Sequence, residues 1–181
     1  MFIQTQDTPN PQTLKFSPGI PVLDSGTKNF IEGDSLAPSP LAQIIFKVKG
    51  VKGVFLGSDF ITVTKAENDD WEYLKPQVLA AIMDHFLSGM PVLHDMPAET
   101  TAPKGGDDIT NQIIDLIETR VRPAVAQDGG DIIFKDFRDG IVYLEMHGAC
   151  SGCPSSTITL KSGIENMLKH YIPEILSVEA V

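Results

Sequence analysis

Asp131-Ile132-Ile133-Phe134-Lys135-Asp136-Phe137, Arg138-Asp139-Gly140 and Ile141-Val142-Tyr143-Leu144-Glu145-Met146-His147 run straight into Gly148-Ala149-Cys150-Ser151-Gly152-Cys153-Pro154. The first block alternates as a strand, the second is a turn by composition, and the third is a returning strand. On the return, Val142, Leu144 and Met146 share the apolar side, and Ile141, Tyr143, Glu145 and His147 share the other. The cysteine loop then joins the hairpin to a helix expected from Pro154 to Tyr171, with Ile158, Leu160, Ile164, Met167 and Leu168 at helical spacing. Upstream, Asp107-Asp108 opens a helix with Ile109, Ile113, Leu116, Ile117 and Val121 on one face, its acids suiting the positive end. That helix should end near Ala126, before Asp128-Gly129-Gly130, read as a helix C-terminal glycine and a tight turn. Pro173 breaks the last helix, and Ile175 to Val181 has room for one more strand. The order is α-β-β-α-β.

Working outward, the first half mixes both signals. Met1 to Thr5 and Thr13 to Phe16 read as short strands about a Thr8-Pro9-Asn10-Pro11 turn. Residues 24–40 read as loop. Ser39 and Pro40 open a helix as N-cap and first residue, with Leu41, Ile44, Ile45 and Val48 at helical spacing and Gly50 at its end. Val51 to Lys65 reads as a hairpin about Gly57-Ser58-Asp59. Asp69 or Asp70 starts a helix to about Leu87, with Trp71, Leu74, Val78, Ile82 and Phe86 on the core stripe, and Gly89 stops it. Residues 89–107, with Pro91, Pro97, Pro103, Gly105 and Gly106, have the composition of an exposed linker. The expected fold class is α+β, with two small domains, 1–88 and 108–181, joined by a flexible linker at 89–107.

The chain has 181 residues, 24 Asp+Glu against 14 Lys+Arg, and a net charge of −10. That balance argues against nucleic acid, whose phosphates need a basic patch, and both halves share the acidity. No apolar run approaches the ~18–20 residues of a membrane span. The first residues lack the basic and apolar regions of a signal peptide and the Arg/Ser-rich look of a transit peptide. The location expected is therefore the bacterial cytoplasm, with the mitochondrial matrix as the alternative for a processed chain. No Gly-rich phosphate loop, Ser/His/Asp set or carboxylate pair points to catalysis, so no enzyme is expected. His85 and His94 have no catalytic partners in the sequence, and His147 and His170 read as surface or packing residues.

Two cysteines make no disulfide scaffold, and a close pair in a reducing compartment points to metal or redox chemistry. Cys150 and Cys153 can turn both sulfurs toward one metal site, with Gly148 and Gly152 easing the backbone and Pro154 opening a helix. The positive end of that helix would favour thiolate, the form that ligates metal. Several readings stay open. A thioredoxin-like dithiol should follow a strand in a parallel βαβ unit, whereas this loop follows a hairpin. Zinc needs four ligands, within one chain or shared between two. An iron–sulfur cluster normally takes four thiolates, which two chains about a two-fold axis supply. A cluster at such a seam would be labile, as a carrier requires. The remaining reading is an inert pair.

Asp128-Gly129-Gly130-Asp131, followed by Gly148-Ala149-Cys150-Ser151-Gly152-Cys153-Pro154-Ser155-Ser156 and residues 157–168, closely resembles the C-terminal domain of the NifU/Nfu family. Met1-Phe2-Ile3-Gln4-Thr5-Gln6-Asp7-Thr8-Pro9-Asn10-Pro11 resembles the N-terminal domain of Nfu proteins. The resemblance implies a scaffold or carrier that takes up a labile [4Fe–4S] cluster on Cys150 and Cys153, as a homodimer sharing the cluster. It implies upstream cluster-assembly factors as donors and apo iron–sulfur proteins, of the lipoyl synthase or aconitase type, as acceptors. Ser155, Ser156 and Thr157 are either donors to cluster sulfides or ordinary first-turn residues.

Overall fold

The computed structural model describes residues 1–94, 107–151 and 154–181, with the backbone alone for 154–156. The chain divides into two compact units, residues 1–98 and 99–181.

The first unit is built on β1 (Gln4–Asp7), β2 (Thr13–Ser17), β3 (Lys28–Ile31), β4 (Val51–Leu56) and β5 (Ile61–Lys65), with helices α1 (Pro40–Phe46) and α2 (Trp71–Ser88). The strands form one antiparallel sheet in the order β1-β2-β5-β4-β3. Alternation puts Leu14, Phe16, Val54, Leu56, Ile61 and Val63 on one buried face, packed with Leu41, Ala42 and Ile45 of α1 and Leu74, Val78 and Ile82 of α2. Each of these side chains other than Ala42 contributes about 1.5–3 kcal/mol on burial. Ser39 caps α1 through its Oγ, which accepts from the Ala42 N–H at 3.1 Å, and Asp70 caps α2 through the Glu72 N–H at 3.1 Å. Gly89 ends α2 in the left-handed region, at φ 69°.

Three expectations change. The first strand lies at Gln4–Asp7 rather than 1–5, because its register is set by pairing with β2, from Gln4 opposite Ser17 to Asp7 opposite Leu14. The stretch read as loop contains β3, an edge strand in which only Phe30 is buried, so no alternation advertises it. Residues 90–94, at the start of the expected linker, stay on this unit: Val92 and Leu93 pack against the core, and Ser39 Oγ donates to the Val92 carbonyl at 2.7 Å.

In the second unit, α3 (Asp108–Leu116), a π-helical turn (Ile117–Val121) and α4 (Arg122–Gln127) run on continuously. The buried residues Ile113, Ile117, Val121 and Val125 are four apart. In an α-helix each four-residue step overshoots one turn by about 40°, so the stripe would drift off the core. The wider π turn takes up that drift. β6 (Gly130–Arg138) and β7 (Ile141–Gly148) form the expected hairpin, and α5 (Pro154–Tyr171) leads to β8 (Ser177–Ala180). The sheet order is β6-β7-β8, with β8 parallel to β7. A bulge between Phe134 and Asp136 shifts the phase of β6, so that Ile132, Phe134 and Phe137 all meet the core that holds Val142, Leu144 and Met146. On α5, Ile164 and Leu168 are buried as expected, but Ile158 is 66% exposed and lies off the core. The α-β-β-α-β order and the α+β class hold.

His85 of α2 is fully buried, and neither ring nitrogen has a hydrogen-bond partner among the described residues. Desolvation holds its pKa below the ordinary histidine value, against a smaller opposing pull from the Met90 backbone. The unfolded chain therefore takes up a proton first as pH falls. The first unit should be most stable above about pH 6.5 and lose stability below it, by at most about 1.4 kcal/mol per pH unit. Thermal melts at pH 7.5 and 5.5 check this, and His85→Phe should flatten the difference.

Candidate functional site

The site is assembled where the hairpin, the preceding helix and α5 meet. Gly129, at φ 80°, turns the chain from α4 into β6, and Gly148, at φ 62°, turns it out of β7. Gly130 and Gly148 face one another across the root of the hairpin. The loop then closes on itself. The Ala149 N–H donates to the Gly129 carbonyl at 3.2 Å, the Cys150 N–H to the His147 carbonyl at 3.3 Å, and Ser151 Oγ to the Gly148 carbonyl at 3.0 Å. Thr157, in the first turn of α5, donates its hydroxyl to the Cys150 carbonyl at 3.3 Å. Cys150 is thus held between the hairpin root and the N-terminal turn of a helix. Its thiol is free and buried, as part of the core that includes Ile113, Leu144 and Leu168.

Burial pushes the Cys150 thiol up to about 12, and the Asp128 and Asp131 carboxylates add to the rise. This corrects the expectation of a thiolate. The helix end is present, but the sulfur is desolvated and faces negative charge, so in this state it keeps its proton. Asp131 is itself buried and held in a bidentate pair, with Arg122 Nε and Nη2 each 2.8 Å from its oxygens. Arg122 also reaches Glu118 at 2.9 Å, and this company raises its pKa above the usual guanidinium range. On the face of β7 away from Val142, Leu144 and Met146, Glu145 accepts from His147 at 2.9 Å and pairs with Lys135, and these partners hold its carboxyl below the usual range. Among the described residues no group of three or more His, Cys, Asp or Glu is placed to hold a metal ion.

Two family profiles match this chain. The one described as "Scaffold protein Nfu/NifU N terminal" covers residues 3–89, and the one described as "NifU-like domain" covers residues 113–179. Together they take in well over half of the sequence. The chain belongs to the Nfu/NifU family. Among curated proteins, this Nfu-type chain is 53% identical over 184 aligned residues to the Drosophila erecta protein named "NFU1 iron-sulfur cluster scaffold homolog, mitochondrial". The alignment covers 100% of this chain and 65% of that protein. The Drosophila ananassae protein of the same name is 52% identical, with 100% and 64% covered. The Nfu-type chain thus spans about two-thirds or a little less of the length of these relatives. Among solved structures, a NifU-like protein from Saccharomyces cerevisiae matches with 27% identity and a TM-score of 0.49, covering 53% of this chain and 87% of that one. A Staphylococcus aureus protein matches with 32% identity and a TM-score of 0.40, covering 45% and 98%.

Of the two expected ligands in this Nfu-type site, Cys150 stands on the loop as anticipated; Cys153, with Gly152, lies outside the described residues. The side chains of Ser155 and Ser156 are likewise outside them, and Thr157 serves to clamp the loop. His147 is a packing residue: its side chain is 15% exposed, and its ring bonds to Glu145. The objection to a redox dithiol also changes, because β7, α5 and β8 form a parallel βαβ crossover and the loop sits at its strand-to-helix turn.

Sequence reasoning missed the part played by Gly130, Asp131 and Arg122. The doubled glycine was a usable signal: one glycine suffices for a helix C-terminus, and the second needs another reason. The pairing of Arg122 with Asp131 had no local signature. Arg122→Gln should destabilise the second unit toward the lower end of about 3–5 kcal/mol, because it strips a buried carboxylate of its guanidinium. Arg122→Lys should recover only part of this, lacking the planar fork. Chemical denaturation of the full chain checks both; a loss below about 0.5 kcal/mol would count against the pair.

Proposed function

We propose that this protein is an iron–sulfur cluster scaffold and carrier, without turnover chemistry of its own. The cargo is a [4Fe–4S] cluster bound by Cys150 and Cys153 of two chains, which passes to apo-proteins. The observation that carries this reading is the place of Cys150, the first cysteine of the CxxC pair: the glycine-lined root of a hairpin, clamped onto the first turn of a helix. The similarity, over the whole of this chain and 65% of the relative, to a protein named as an iron–sulfur cluster scaffold homolog supports the same reading.

The donor set fits the cargo by chemistry and by count. Thiolates are the ligands such clusters take, each chain has two, and a two-fold pair of chains supplies four. Release is ligand exchange. An acceptor thiol loses its proton, its sulfur bonds to an iron, and the iron–sulfur bond to Cys150 or Cys153 breaks. The departing cysteine takes up the proton, and no electron moves.

The donors would be upstream cluster-assembly factors. The acceptors would be apo iron–sulfur proteins of the lipoyl synthase or aconitase type, with the first unit serving in docking. The mitochondrial names of the relatives favour the matrix over a bacterial cytoplasm as the place of action. Among the described residues no helix is long and apolar enough to cross a membrane.

Anaerobic reconstitution with ferrous iron and sulfide tests the proposal. A brown species with about four irons and four sulfides per two chains is expected. Cys150→Ala and Cys153→Ala should each lose the cluster while keeping the far-ultraviolet circular dichroism of the parent. A colourless protein with one zinc per two chains would replace the cluster with a structural metal. Thiol-dependent reduction of insulin, with no iron uptake, would replace it with a redox dithiol.

A further inference from the structure

Gly130 opens β6 with no side chain, and the space beside it holds the sulfur of Cys150. A Cβ built on residue 130 would overlap Cys150 Sγ, and would lie 3.0 Å from the His147 carbonyl oxygen and 3.1 Å from the Cys150 nitrogen. Gly129 and Gly148 lie in the left-handed region, whereas Gly130 does not, so the demand for glycine at 130 is one of space. Cys150 is only 6% exposed and packs with the apolar core. A cluster shared between two chains must meet its sulfurs at the surface, where two chains can meet. The conformation seen and the conformation needed therefore differ at this side chain.

We infer that Gly130 is a positioning residue for Cys150: it forms a seat in which the cluster-free chain stows the thiol, and loading draws the sulfur out of that seat. The inference rests on the carrier reading. A single χ1 rotation moves Cys Sγ between staggered positions while the backbone stays in place. The bonds that hold the backbone, to the His147 carbonyl and from Thr157, do not involve the sulfur. Stowing keeps a ligand thiol from oxidation and stray metals between deliveries. A side chain at residue 130 would evict the sulfur and leave it outward.

The test uses the full cluster-free chain carrying Cys153→Ser, so that Cys150 is the one remaining thiol. Iodoacetamide alkylation, followed by mass spectrometry, should run about ten-fold or more slower on the native chain than on the same chain in denaturant at the same pH. Adding Gly130→Ala should raise the native rate about five-fold or more, because a displaced thiol is an exposed one. Ile172→Val, a truncation in the same core but outside the loop sequence, controls for general loosening and should leave the rate within about two-fold. Equal native and denatured rates in the Cys153→Ser chain would overturn the seat, even if Gly130→Ala fails to fold. So would an equal effect of Gly130→Ala and Ile172→Val. Iron uptake by the unmodified chain is read separately. Uptake together with unprotected Cys150 removes the seat and keeps the carrier; absence of uptake removes both.

Discussion

No side chain fits between the first residue of β6 and the loop that carries Cys150. That exclusion organises the second unit. Gly130 and Gly148 face each other across the hairpin root, and Gly129 hands the chain from α4 into β6 and accepts the Ala149 N–H. The root can close this tightly only because these three positions have no Cβ. Its closing places Cys150 under the hairpin and points the chain at the start of α5. One residue along, Asp131 is gripped by Arg122, so the helix that precedes the hairpin is tied to the same root. A helix, two strands and a loop converge there, and the cysteine is the atom group they enclose.

At this point the thiol is desolvated and faces carboxylates rather than cations. Cys150 is desolvated, and the carboxylates that act on it are Asp128 and Asp131. Arg122 is spent on Asp131 and Glu118. The thiol is therefore neutral while stowed, and becomes a ligand only by giving up a proton and its place in the core.

Much of this was legible in the residues. Ser39-Pro40 and Asp70 marked the helix starts because capping is a local chemistry. The β6–β7 hairpin was legible because Val142, Leu144 and Met146 alternate on one buried face. What failed to show was non-local or anti-periodic. β3 has one buried residue and Gly26 and Gly33 on its flanks, so it looks like loop. The π turn at Ile117–Val121 exists because a four-residue apolar repeat must stay on one face, which needs the sheet beneath it to be known. The CxxC pair suggests metal chemistry, and a local rule about helix ends favours thiolate there, whereas burial pushes the Cys150 thiol up. The second glycine of Asp128-Gly129-Gly130-Asp131 was present in the sequence without its reason, which is a sulfur twenty residues further along.

The account stands or falls on one cluster being held jointly by two chains. Native mass spectrometry of the anaerobically loaded protein, mixed with an isotopically heavy copy, reads that directly. The account predicts a loaded species of two chains plus a single four-iron, four-sulfide mass, with light–heavy pairs appearing as the cluster exchanges. A loaded single chain, or a dimer whose mass is unchanged when the cluster is stripped, would contradict it.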